Sequence, residues 1–524
     1  MTGMAAAKAI ERIVVVGGGS AGWLTAGLLA AQLRRSASSA RVSLVESPDV
    51  KPIGVGEGTW PTMRTSLARM GVSETEFIKC CDASFKQGTQ FIDWVRGEGE
   101  SYYHPFTPPL GFSEINLARY WQPLRDRVSF SEAVSPQSRI CDQFLGPKQI
   151  VTPEYASNLN YGYHLDAGKF ASFLQAHCVG KLAVEHLQEN VDSIENDENG
   201  DIRALHTLSG REIAGDLFVD CTGMRSLILG EHMGIGFRDM SHVLFNDRAL
   251  AVQVPRDDSD EPIASTTRST ARNAGWIWDI GLPTRRGVGY TYSSRHSTDE
   301  AAEGELRQYL SATAGAEFSR SCTPRKIRFR PGYREQFWHR NCVAIGLSAG
   351  FVEPLEASAL VMIELSARML SDLMPPDRDV MDIVAARFNR KFRGHWERII
   401  EFLKLHYVLS ARSDTAYWRD HRESGSIPQA LSDSLQLWRY HCPWHGDQAH
   451  ADDLFSTASY QYVLYGMDFV SGGFGDTVSA DPDGMKRANS LFAQNARDTQ
   501  KMLAGLPANR ELIEKINRYG LSRV

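Results

Sequence analysis
Four apolar β-branched residues, Ile13-Val14-Val15-Val16, run into Gly17-Gly18-Gly19 and then into a segment whose leucines recur at helical spacing, Leu24, Leu28, Leu29 and Leu33. The pattern predicts strand, glycine turn and helix in that order. A second short apolar run, Arg41–Glu46, predicts a further strand that ends on an acid well after Gly22. A unit of this kind binds a dinucleotide. Gly17 permits the tight turn, Gly19 lets backbone approach a pyrophosphate, and Gly22 lets helix pack closely on strand. The helix start at Ser20 and Ala21 offers unpaired N–H groups to the phosphates, and Glu46 is placed to accept from a ribose hydroxyl.

Further along, glycines alternate with other residues in Gly54-Val55-Gly56-Glu57-Gly58, a loop in which Gly56 and Glu57 can lie close against a flat ligand. Alternation over Ser84–Trp94 predicts one half-buried strand with Lys86 on its polar phase. Ser101-Tyr102-Tyr103-His104-Pro105-Phe106 reads as an aromatic loop, and Ala167 to about Cys178 as a helix. Apolar stretches at 181–184, 191–195, 202–207 and 213–220 suggest the β-rich return of a two-dinucleotide-binding flavoprotein. Trp276, Trp278 and Ile280 alternate onto one face of a strand, where they could wall two cavities apart. Cys342–Phe351 repeats the strand-to-glycine pattern and adds Gly346 to the cofactor set. Residues 353–373 predict a helix whose start suits an anion or a flavin edge. From Asp379 onward the pattern is mainly helical.

The expected fold is therefore α/β: a Rossmann-like, FAD-binding module over residues 1–390, with substrate-side insertions at about 100–160. A helical region, 391–524, covers the substrate. Composition narrows the function without naming it. With 57 basic and 63 acidic residues, a net charge of −6 recommends neither nucleic acid nor an anionic membrane as partner. No apolar run approaches the roughly 18 residues of a membrane span, so a cytoplasmic protein is expected. Eight scattered cysteines without a CxxC pattern suggest neither a metal site nor a disulfide framework.

Gly17–Trp23, the Gly54–Pro61 loop, Trp276-Ile277-Trp278-Asp279-Ile280 and Gly350-Phe351-Val352-Glu353-Pro354-Leu355-Glu356 together resemble the flavin-dependent halogenases, the tryptophan halogenase family, over nearly the whole chain. Gly281 stands where that family usually has Pro. The resemblance implies that reduced FAD, delivered by a separate flavin reductase, and oxygen convert chloride or bromide to hypohalous acid. The acid then travels to a lysine beside the substrate. Ser84-Phe85-Lys86, ahead of Phe91-Ile92-Asp93-Trp94, matches the family's lysine segment; Lys79 does not.

Glu356 matches the family's acid, expected to stabilise the cationic ring and take up its proton. Ser358 and Ala359 match the turn whose N–H groups hold the halide. Here Glu356 is followed by Ala-Ser-Ala rather than Ser-Thr-Gly. Ala in place of Gly at position 359 narrows the backbone angles and suggests a pocket favouring bromide. His104 and Phe106 match the aromatic clamp around an indole. The Tyr-Tyr and Glu set that holds the charged end of free tryptophan is missing around Trp438–Trp444. Indole or another small aromatic is thus the better expectation, with a carrier- or peptide-bound aromatic as an alternative. A monooxygenase hydroxylating an aromatic is the other alternative, and the sequence leaves a homodimer open.

Overall fold
Arg12–Val16 forms the central strand of a six-stranded sheet ordered Trp338–His339, Cys342–Ala344, Leu217–Asp220, Arg12–Val16, Arg41–Glu46, Glu185–Gln188. All its pairings are parallel except that of the Trp338–His339 edge strand. Helices cover both faces of such a sheet, which is why the central strands read as unbroken apolar runs rather than as alternations. Val14 and Val15 are buried with Leu44, Val219 and Val343. This computed structural model describes residues 9–50, 56–256, 260–447, 453–472 and 481–523.

The first helix, Ser20–Arg35, is built from strong helix formers and carries Arg34 and Arg35 in its last turn, where cations complement the helix dipole. It packs between the helices Ala167–Leu182 and Ser358–Asp372. The segment at 181–184 is not the expected strand. The helix runs on to Leu182 and Ala183 ends it in a left-handed conformation (φ 57°), so the strand begins only at Glu185. The strands Val191–Asn196, Ile202–Thr207 and Glu212–Ala214 form a separate antiparallel meander before the chain returns to the parallel sheet at Leu217.

Residues 84–94 also differ from expectation, because they form two strands in two sheets. Ser84–Lys86 pairs with Gly162–Asp166, which in turn pairs with Gly56–Gly58. Gly88–Ile92 joins a seven-stranded sheet ordered Arg325–Arg328, Arg248–Pro255, Arg285–Tyr292, Gly275–Gly281, Thr267–Arg272, Gly88–Ile92, Ser101–Pro105. The break falls at Gly88 (φ +153°), where a Cβ would come 2.4 Å from the His104 carbonyl oxygen. Ser101–Pro105 is thus an edge strand and not a loop, with His104 opposite Thr89. Of the glycine loop before it, Gly54 and Val55 lie outside the described residues, whereas Gly56–Gly58 is strand.

The Gly275–Gly281 strand is buried along its whole length, on both faces. Alternation sends Trp276, Trp278 and Ile280 into the main core, and Ile277 into a smaller cluster with Val288, Tyr290 and Leu306 beneath the helix Asp299–Ala314. The expected helix over 353–373 begins only at Ser358. Glu356 and Ala357 take left-handed angles (φ 63° and 55°) and turn the chain before the Ser358–Asp372 helix. The 32-residue helix Arg378–Leu409 then carries the chain through residue 390 without a break.

Candidate active site
At the nucleotide unit, Gly17 adopts φ +119° and its N–H donates to the Val45 carbonyl. An added Cβ there would lie 2.2 Å from the Cys221 carbonyl oxygen, and one on Gly22 would lie 1.8 Å from the Gly17 carbonyl oxygen. Gly19 precedes the helix with open space where its side chain would be, and no side chain caps the first turn at Ser20 and Ala21. The donors of that turn are therefore available to an anion. Gly346 (φ +80°) closes the same corner, since a Cβ on it would meet the Ala21 methyl at 2.8 Å. Glu46 leans over Gly18 with Oε1 accepting from His186 Nε2 at 2.6 Å. Its second oxygen, Oε2, stands over Gly18. On the Gly56–Gly58 strand, burial pushes the Glu57 carboxyl up to about 7, so at neutral pH it can donate as well as accept. These features fit FAD.

Lys86 ends the Ser84–Lys86 strand and is 0% exposed, not on a solvated face. Its Nζ has no hydrogen-bond partner among the described residues and lies 5.1 Å from the centre of the Phe106 ring. Burial lowers the amine to about 8, against the opposing pull of Glu356. Gly58 separates this amine from the Glu356 turn. A Cβ on Gly58 would lie 3.4 Å from Lys86 Nζ and 3.3 Å from the Ala357 methyl, so the two segments converge on either side of this glycine with little room to spare. His164, on the adjacent strand, is held well below the usual histidine range, first by burial and then by Lys86. It remains a neutral neighbour, hydrogen-bonded through Nε2 to Thr267 Oγ1 at 2.9 Å.

Glu356 is the second buried group. Its Oε1 lies 2.7 Å from His104 Nδ1 and 3.3 Å from His406 Nε2, while Oε2 accepts from Thr89 Oγ1 at 3.2 Å. Its carbonyl oxygen accepts from Trp60 Nε1 at 2.7 Å. Burial works to raise the Glu356 carboxyl, but the two histidines outweigh it and hold the group well below the usual carboxylate range. His406 Nδ1 faces the Phe402 carbonyl oxygen at 2.9 Å. Both ring nitrogens of His406 thus face oxygen atoms, one on the turn and one on its own helix.

Ser358 and Ala359 form the first turn of the Ser358–Asp372 helix, which starts without a side-chain cap and so leaves first-turn N–H groups that could meet an anion. Ala359 has ordinary helical angles. The left-handed positions are Glu356 and Ala357, so a methyl group at residue 359 does not narrow the backbone as expected from the sequence. Half-buried Phe106 lies beside Lys86, whereas His104 faces Glu356. His104 is 5.7 Å from the Phe402 ring, which stacks on Phe455 at 3.7 Å.

His406, Thr89 and the Phe402–Phe455 pair are additions that the sequence reading lacked. A signal for His406 was present, since His395, Ile399, Phe402 and His406 recur at helical spacing and place a titratable ring on the apolar stripe.

Residues 12–483 match the family model described as tryptophan halogenase. Tryptophan 6-halogenase ThaL of Streptomyces albogriseolus is 31% identical over 97% of this chain and 99% of its own length. The crystal structure of a tryptophan halogenase from Shewanella frigidimarina superposes with a TM-score of 0.95 at 49% identity, covering 99% of both chains. BrvH, a flavin-dependent halogenase from Brevundimonas, superposes with a TM-score of 0.86 at 33% identity over 97% of this chain and 99% of that one. An α/β nucleotide cradle, a buried lysine and a buried acid thus occur in a chain that belongs to the tryptophan halogenase family, the flavin-dependent halogenases.

Proposed function
We propose that this enzyme halogenates an electron-rich aromatic of the indole or tryptophan type, with Lys86 presenting the halogen and Glu356 completing the substitution. Bound in its reduced form, supplied by a separate flavin reductase, FAD with oxygen provides the oxidising power that turns chloride or bromide into hypohalous acid. The N–H groups of Ser358 and Ala359 hold the halide. Lys86, with an amine near 8, offers both forms at neutral pH: the ammonium donates a hydrogen bond to hypohalous acid, and the free amine can carry the halogen covalently. Phe106 walls the amine from water. His104 and Phe106 hold the flat ring with one edge toward Nζ, and that placement selects the carbon attacked. Glu356 stays ionised, stabilises the cationic ring and accepts its proton, with His104 and His406 holding the carboxylate in place. The absence of a Tyr-Tyr and Glu set favours indole over free tryptophan. We further propose that bromide is preferred, because the Ala359 methyl group adds apolar surface at the helix start, and bromide is the more easily dehydrated anion.

The observation that carries this reading is an unpartnered, wholly buried lysine converging through Gly58 on the turn of a buried carboxylate. The test is mass spectrometry of products from the protein with FAD, flavin reductase, NADH, oxygen, equimolar chloride and bromide, and a panel of indole, tryptophan and a phenol. Halogenated product that disappears with Lys86→Ala is expected. Hydroxylated product, or halogenation that survives Lys86→Ala, would overturn the assignment.

A further inference from the structure
Glu353 lies three residues before Glu356 and is as deeply buried. Its Oε2 accepts from Trp276 Nε1 at 2.8 Å and from Asn246 Nδ2, and the Tyr407 hydroxyl donates to it at 2.8 Å. Asn246 is oriented by Tyr417, whose hydroxyl donates to Oδ1 at 3.0 Å and leaves Nδ2 free to face Glu353. Every neighbour is thus a donor, and the carboxylate is the one group that satisfies all three. The two acids of this turn engage two consecutive residues at the end of the Arg378–Leu409 helix: Glu353 takes Tyr407, and Glu356 takes His406. The two pairs are parallel rungs between one turn and one helix end. Trp276, the first tryptophan of the Trp-x-Trp-x-Ile motif, ties the Glu353 rung to the buried Gly275–Gly281 strand.

We infer that Glu353, Tyr407 and Trp276 are positioning residues that fix the distance and angle between Glu356 and His406, so that the motif tryptophan acts on the reaction through hydrogen bonding as well as by bulk. The turn needs such a support, because Glu356 and Ala357 both hold left-handed angles that an unrestrained chain would leave. The inference rests on the halogenase reading for Glu356.

The test is a double-mutant cycle on the FAD-loaded enzyme, with indole as substrate and Tyr407→Phe, Glu356→Gln and the pair of them as variants. A cyclic 1,3-diketone scavenger reports hypohalous acid independently of the aromatic. Tyr407→Phe is expected to lower kcat about tenfold, to leave KM within about twofold and scavenger halogenation unchanged, and to have no further effect once Glu356 is Gln. Equal losses in both backgrounds would show a merely structural role and overturn the inference. Scavenger halogenation that is absent in the wild type would refute the halogenase reading instead. The positioning claim is then read from the ring-nitrogen NMR signals of His406, assigned with His406→Asn. They are expected to move in both Tyr407→Phe and Glu353→Gln. Unmoved signals would overturn the inference whatever the activity.

Discussion
Lys86 makes the enzyme less stable than its fold allows, and the size of that penalty follows from its surroundings. The amine falls from 10.5 to about 8 because it is sealed away from water, and at 1.36 kcal/mol per pH unit this is about 3 kcal/mol at neutral pH. The sign is fixed by linkage. Between about 8 and 10.5 the unfolded chain binds the proton that the folded chain has released, so stability rises with pH across that window. Below 8 the folded protein carries the charge and bears the full penalty. Lys86→Met, similar in length and without a charge, removes it. Relative to wild type, the variant should gain about 3 kcal/mol at pH 7, about 2 at pH 9 and less than 1 at pH 10, while halogenation is lost. Chemical denaturation of both proteins without FAD, at a series of pH values, gives this difference directly. Any constant difference in packing cancels from its slope. A difference between the two proteins that does not fall by about 2 kcal/mol between pH 7 and pH 10 would refute the electrostatic argument.

Two further outcomes follow from the cradle and the halide turn. Gly22→Ala places a methyl group against the Gly17 carbonyl at a spacing no carbon tolerates, so FAD affinity measured by flavin fluorescence should fall by at least about tenfold, and Gly19→Ala, whose methyl group would fill the open space in which backbone meets the pyrophosphate, should weaken binding without disturbing the fold. Ala359→Gly leaves an already helical backbone in place and removes only the methyl group, so equimolar halide competition should shift toward chlorinated product; an unchanged product ratio would separate halide preference from this residue.

The parallel sheet and its first helix were legible because they rest on local rules: a β-branched run, glycines at fixed spacing and leucines at helical period. Lys86 and Glu356 were singled out by their segments, and Gly58 brings those segments together. Burial of Lys86 was not legible. Alternation put it on a polar phase, but that phase assumes one strand from 84 to 94, and the turn at Gly88 hands the two halves to different sheets. The left-handed Glu356 and Ala357 were hidden for a similar reason. Their composition suits a helix, and only long-range bonds from Trp60, His104 and His406 hold them out of one. His406 was the more accessible omission, since its phase on the long helix pointed inward.

Asn509, in the helix Asn509–Tyr519, is wholly buried and donates to the carbonyl oxygens of Phe85 and Ile263. The backbone next to Lys86 is therefore braced by a residue 424 positions downstream. During synthesis the ribosome must add all of that length before the brace exists. A nascent chain can assemble the nucleotide cradle early, yet it cannot set the lysine strand in its final frame until the translation of these last segments. A chain stopped ahead of Asn509 lacks this brace, however much of the parallel sheet it has already formed.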